Sequence, residues 1–108
     1  MRQVTTLCRR LTSRIEAPAD VWVLWQCEGR EVVSPVRDIS MEGMFIETPN
    51  ARPAGALAKL YFLVPDGQIM AGAVVRHAEH DSGVGLKFTA VSQDDRTKLA
   101  ALITRLRT

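Results

Sequence analysis

The chain is short of several things, and each shortage removes a class of reading. It has two cysteines, Cys8 and Cys27, in neither a Cys-x-x-C nor a disulfide-rich spacing. That excludes a disulfide scaffold and leaves two reduced thiols. Aromatic residues are only 6% of the chain, too few for the repeated stacking platforms of a single-strand nucleic-acid binder. The longest apolar stretch, Ala54 to Val64, is interrupted by Lys59. A bilayer span needs roughly 20 apolar residues, so no transmembrane segment is expected. Met1 to Leu11 lacks the apolar core of a secretory signal, and a cytoplasmic location is expected. No Ser-His-Asp set, Cys-His pair or glycine-rich phosphate loop is recognisable, so no enzyme is expected. Finally, no acid precedes Glu16.

What is present is one modest globular domain. The 108 residues are 46% hydrophobic and 24% charged, with a formal net charge of +2. That excess is too small to favour duplex nucleic acid. Its placement says more, because Arg2, Arg9, Arg10 and Arg14 all fall in the acid-free start. Residues 1–16 read as a flexible basic arm. Such an arm suits a small anionic ligand, a membrane surface, or nothing beyond solvent.

The remaining residues, 17–108, read as short strands followed by a helix. The apolar, β-rich stretch from Ala19 to Cys27 predicts a strand, closed by a Glu28-Gly29-Arg30 turn. Trp22 and Trp25, three apart, point to opposite faces, so at least one belongs to the core. Val32, Val33 and Val36 predict a second strand, with Pro35 at an edge or bulge. Asp38 to Glu42 reads as a turn and Met44 to Thr48 as a third strand. Further strands are expected over Leu57–Val64, Gln68–His77 and Val84–Phe88, divided by turns at Pro65-Asp66-Gly67 and His80-Asp81-Ser82-Gly83. Ser92 then reads as an N-cap with Asp95 three positions on. Leu99, Leu102, Ile103 and Leu106 form one apolar helix face over about 92–106. The sum is an all-β fold with a C-terminal helix, a six-stranded antiparallel β-barrel.

Two segments carry the chemistry. Arg10-Leu11-Thr12-Ser13-Arg14 offers two guanidinium groups four residues apart, able to fork onto phosphate oxygens or the O6/N7 edge of guanine. Asp38-Ile39-Ser40-Met41-Glu42-Gly43 offers a carboxylate for the N1–H and N2–H₂ edge, a hydroxyl, and a glycine that admits close backbone approach. Alone, the Asp-x-Ser segment is also readable as a local Asx-turn. His77, Glu79, His80 and Asp81 resemble a metal cluster, but no third ligand group stands at metal spacing. They read as a strand end and polar turn, and no metal or cofactor is expected.

The pair R-x-x-x-R … D-x-S-x-x-G resembles the signature of the PilZ domain, the bacterial receptor module for cyclic di-GMP. The element order and the stretch Gly83-Val84-Gly85-Leu86-Lys87-Phe88 are similar too, and the resemblance covers roughly Arg10 to Leu106. It implies a PilZ-like barrel that binds cyclic di-GMP. By position, Arg10 and Arg14 would clamp phosphates and guanine edges, with Arg9 adding a contact. Asp38 and Ser40 would bind a guanine and a phosphate or ribose, and Gly43 would admit the backbone. Glu42 stands where the family often has a second glycine. Arg76 stands where many members carry an aromatic; it either stacks on a guanine or is a surface residue. The expectation is a receptor or adaptor that signals to an unidentified effector protein when ligand orders the arm. The alternative is an interaction adaptor of the same fold that binds no nucleotide.

Overall fold

The computed structural model describes residues 15–16, 21–49, 52–64, 67–79 and 82–107. The elements are β1 (Ile15–Glu16), β2 (Trp22–Cys27), β3 (Arg30–Ile39), β4 (Gly43–Glu47), β5 (Leu57–Leu63), β6 (Ile69–Glu79), β7 (Gly83–Ala90) and α1 (Gln93–Arg107). All strand pairings are antiparallel. β2 to β7 form a ring in the order β3-β2-β5-β6-β7-β4, and a β3–β4 pairing closes it. The expected six-stranded barrel with a C-terminal helix is therefore what the chain forms. Closure leaves these strands without the free edges that promote aggregation.

Strict alternation builds the core. Along β2, Val23, Trp25 and Cys27 point inward, and along β5 Ala58, Leu60 and Phe62 do so. Trp25 is 1% exposed and its Nε1–H donates to Ser34 Oγ at 2.9 Å, while Trp22 on the opposite face is 39% exposed. A buried indole needs such an acceptor. Leu99, Leu102 and Ile103 of α1 join the same core, and the helix packs against β6 and β1. Its start is the predicted cap: Asp95 N–H donates to Ser92 Oγ at 3.1 Å, and the Ser92 hydroxyl donates to Asp95 Oδ2 at 3.0 Å. Acids in its first turn and arginines in its last complement the helix dipole.

The second strand is longer than its sequence suggests. β3 continues through Pro35 and includes Asp38, which the sequence assigns to a turn. Pro35 is tolerated for a simple reason. Val36 N–H donates to Val21 O at 3.0 Å, so the position before it faces the other edge. There the β4 ladder begins only at Val36. The missing N–H of Pro35 therefore breaks no pairing.

Three places carry an extra residue, one of them Thr89 of β7, which falls between the Gly72–Ala90 and Ala73–Phe88 pairs. The β3–β4 register shifts between Val36 and Asp38, and the β6–β7 register shifts between Val75 and His77. At these two shifts Arg37 and Arg76 are the bulged residues. A bulge re-aims the side chains around it. In β3 it changes the inward set from Ser34 and Val36 to Ile39 and leaves Asp38 half-buried.

β2 and β3 are joined by a tight hairpin, with Cys27 paired to Arg30 across Glu28 and Gly29. Both loop residues have positive φ, 54° for Glu28 and 78° for Gly29. Positive φ at both positions is the type I′ pattern, which favours Asn-Gly. Glu28 holds this conformation at a cost that asparagine would lower. We expect Glu28→Asn to stabilise the domain by about 0.5–1 kcal/mol, a rise of a few degrees in Tm by thermal melting. An unchanged or lower Tm would mean that the Glu28 carboxylate itself contributes to the native state.

Candidate functional site

The site is assembled where β3 ends and β4 begins. The turn between them is fixed by Ser40, which is 2% exposed. Its N–H donates to Gly43 O at 2.8 Å, and its Oγ accepts from Glu42 N–H at 3.1 Å. The hydroxyl also approaches Gly43 O at 3.4 Å. This is local side-chain-to-backbone capping of the kind serine supplies at turns. The serine thus shapes the loop whatever else it contacts.

Gly43 has a structural reason of its own. A Cβ there would stand 2.1 Å from Leu86 O on β7, far inside van der Waals contact. Gly83 is held in the same way, since a Cβ there would meet Ile46 O at 2.2 Å; at Gly85 a Cβ would meet a side chain, the His77 ring, at 2.3 Å. The close approach at Gly43 is therefore to a neighbouring strand.

Those glycines make room for an outer layer of side chains. The Phe45 ring lies over Gly83 and is 3% exposed, outside the barrel core. Arg37 Cζ sits 3.7 Å from its centroid, and His77 tilts against it at 5.9 Å. Arg37 also reaches Asp38 Oδ2 and Glu79 Oε1, each at 3.8 Å. These half-exposed ion pairs contribute little stability. They do hold a guanidinium beside the Asp38 carboxylate.

Beside the turn is an open cleft of about 290 Å³ lined by Ser40, Glu42, Arg76, His77, Lys87 and the Gly85–Leu86 backbone. The bulge sends Arg76 to this side. Lys87 is brought here by its register partner, Gly43. The cleft thus carries Arg76 and Lys87 against the single carboxylate of Glu42, with His77 in its wall, a balance that favours an anion. A larger groove of about 750 Å³ lies by the Glu28-Gly29 hairpin, but its charged lining residues are Glu28, Glu31 and Lys59. It lacks that cationic bias.

Of the residues the sequence singles out, Ser40 and Arg76 meet in one cleft. Asp38 and Gly43 lie at the adjoining strand ends and do not line it. Arg9, Arg10 and Arg14 lie outside the described residues. The last two residues of the expected arm, however, form β1. Ile15 pairs with Ile39 and Glu16 with Asp38, so the chain leaving the arm joins the barrel beside the Asp38–Ser40 segment. Lys87, His77 and Arg37 were not legible as site residues. Their only signal was a polar or basic residue at an outward strand position, and the two bulges that bring them together leave no mark in the sequence.

Nothing else in the described residues looks reactive. No helix there is long and apolar enough to cross a membrane. No group of three or more His, Cys, Asp or Glu there could hold a metal ion. His80 and Asp81, from the apparent metal cluster, lie outside the described residues. Burial, and then the Glu28 charge, push the Cys27 thiol up, against the lowering effect of Arg52. A thiol kept protonated is a poor nucleophile.

A family model described as PilZ domain matches residues 9–105. No curated protein matches the sequence. Among solved structures, the PilZ domain with c-di-GMP of YcgR from Escherichia coli is similar at 18% identity, with 92% of each chain covered and a TM-score of 0.72. MrkH of K. pneumonia in its apo state is similar at 18% identity, over 88% of this chain and 48% of that one, with a TM-score of 0.76. The Bacillus subtilis inhibitor of motility, MotI/DgrA, is similar at 21% identity, over 87% and 49% of the two chains, with a TM-score of 0.73. The chain thus spans about half the length of MrkH and MotI.

The geometry at Gly43 generates a direct test. Gly43→Ala should destabilise the domain by about 3 kcal/mol or more, because the β7 backbone at Leu86 and Lys87 must move away. Gly29→Ala, where nothing lies within 4 Å of the added Cβ, should cost only about 1–2 kcal/mol from its positive φ. Denaturant unfolding of both variants checks the order. Equal losses would show that the β4–β7 seam relaxes freely.

Proposed function

The chain belongs to the PilZ domain family, and from that premise we propose that it is a cyclic di-GMP receptor that passes its signal to an effector protein in the bacterial cytoplasm. One observation carries the reading: β1 joins β3 opposite Asp38 and Ile39. Arg14 is covalently next to Ile15, and Arg10 is four residues further back, a reach of at most about 14 Å when extended. Both arginines of the first motif are thereby tethered to the second. Similarity to a PilZ domain structure that contains c-di-GMP supports the same ligand.

The roles follow from the chemistry. Arg10 and Arg14, with Arg9 beside them, take phosphate oxygens and a guanine O6/N7 edge through charge-assisted forks. Asp38 accepts from the guanine N1–H and N2–H₂ edge. Ser40 holds the turn and offers its hydroxyl, while Gly43 keeps that turn against β7. Arg76, aimed into the cleft, stacks its guanidinium on a base, and Lys87 adds a cation for phosphate. Each charge-assisted bond contributes roughly 1.5–3 kcal/mol, enough together to offset the ordering of a short arm. Arm closure then presents a changed surface to the effector. Glu42 is the observation on the other side. Its carboxylate lines the same cleft and favours the alternative, an adaptor that binds no nucleotide.

Calorimetric titration separates the two readings. We expect cyclic di-GMP to bind at micromolar concentration or tighter, about −8 kcal/mol. Arg10→Ala and Arg14→Ala should each weaken binding by about 2–4 kcal/mol, with the free protein's Tm unchanged. No heat at ~100 μM ligand would leave the adaptor reading standing. A further measurement addresses selectivity. Asp38→Ala should narrow the preference for cyclic di-GMP over cyclic di-AMP, because adenine lacks the edge this carboxylate reads. Unchanged preference would assign selectivity to the arginines.

Amide exchange reads the signalling step. Backbone amides around Arg9 to Arg14 should slow on adding ligand, less so at high salt, while Val84–Phe88 stays protected throughout. An arm already protected without ligand would rule out ordering as the signal.

A further inference from the structure

The outer face of the barrel over β3, β2, β5 and β6 is apolar where a solvated face would be polar. The pairing register sorts its outward side chains into rows. One row runs Pro35, Trp22, Leu63. The next runs Val33, Leu24, Tyr61, Met70. A third, polar row runs Glu31, Gln26, Lys59. Trp22 is 39%, Val33 51%, Leu63 47% and Met70 43% exposed, and the register makes them neighbours. Scattered apolar side chains on a surface need no explanation, but a contiguous patch marks an interaction site. None of these residues lines the Ser40–Arg76 cleft.

We propose that this face is a contact surface between two copies of the chain, related by a two-fold axis along β2. A two-fold interface must be complementary to itself, and the register meets that condition. Rotation about β2 lays the β3 of one copy over the β5 of the other. Pro35 then meets Leu63, Val33 meets Tyr61, and Trp22 and Leu24 meet their own counterparts. In the polar row, Glu31 of each copy meets Lys59 of the other, with opposite charges at both ends. Gln26 Nε2–H donates to Glu31 within the chain, which holds that carboxylate at the edge of the apolar rows. Apolar rows bordered by a polar one match the core-and-rim pattern of protein interfaces.

The size of the face sets the strength. Strands lie about 4.8 Å apart and successive outward rows about 7 Å apart, so three rows over three strands fall short of the roughly 800 Å² per partner in a standard interface. A face of this size suits a weak, transient dimer. Its population follows protein concentration, and anything that raises the local concentration of the chain promotes it.

Sedimentation velocity on the full chain, from ~10 μM to ~1 mM, tests the proposal. The mean mass should rise from one copy toward two. Val33→Lys and Leu63→Lys, at exposed positions on the two sides of the axis, should each weaken association at least ten-fold with unchanged Tm; two variants keep the test alive if one fails to fold. Leu57→Ser, 75% exposed but outside the three rows, should leave association unchanged. Glu31→Lys should weaken it, and adding Lys59→Glu should restore it. A chain that stays monomeric at ~1 mM overturns the proposal. So does association insensitive to Val33→Lys and Leu63→Lys. Failure of the double charge exchange to restore association overturns the two-fold arrangement. A monomer that instead binds phosphatidylglycerol vesicles through Val33 and Leu63 makes this a membrane face and overturns the dimer.

Discussion

Closure of the barrel depends on backbone coming nearer to backbone than any side chain permits. β4 is the short strand that bridges β3 and β7, and its first residue, Gly43, lies against Leu86 O. At the other end of the same seam, Gly83 lies against Ile46 O. A methyl group at either point would force the β4–β7 backbones apart and weaken the seam that closes the ring. The D-x-S-x-x-G segment sits at this seam. Its last residue is where the constraint on folding and the constraint on the site coincide.

The bulges at Arg37 and Arg76 are the second device. In a regular ladder, residues on one face stay on that face, and an outward Arg37 would be followed by an inward position 38. The extra residue in β3 instead lets Ile39 enter the core while Asp38 remains half-buried. In β6 the extra residue is Arg76, next to His77 and its contact with Phe45. Arg76 of β6 and Lys87 of β7 thus line one cleft beside the turn, while Arg37 of β3 lies against Phe45 and Asp38. The core beneath continues uninterrupted, with Ile39, Met44 and Leu86 all at most 1% exposed.

Much of this was readable from the chain, for identifiable reasons. Strands with clear turns between them declare themselves by alternation and punctuation. The helix declares itself by Ser92, its paired acids and the Leu99–Leu102–Ile103–Leu106 spacing. The motif pair pointed to the family that the match over residues 9–105 then gave. What stayed hidden depends on pairing between distant strands. Pro35 suggested an interruption because its tolerance depends on which edge carries the ladder. Asp38 read as turn because Asp-x-Ser is locally a turn signal. Lys87 and His77 looked like ordinary outward residues of β7 and β6, since no local pattern encodes a register shift. The apolar outer rows were illegible for the same reason. Val33, Trp22 and Leu63 are far apart in the chain and become neighbours only through the ladder.

The pairing of Ile15 and Glu16 with the end of β3 has a mechanical consequence. β2 and β1 share one edge of β3, β2 along its first part and β1 at its last two residues. The segment upstream is thus spliced onto a ladder that has already begun. Under the proposed reading, ordering it resembles closing a zip from a fixed slider: each added residue extends existing contacts, and no distant ends must find each other. Pulling on the chain from its N-terminal side would load the same two pairs directly, opposite Asp38. Tension and ligand would then act on one joint, and a force that peels β1 from β3 would oppose binding.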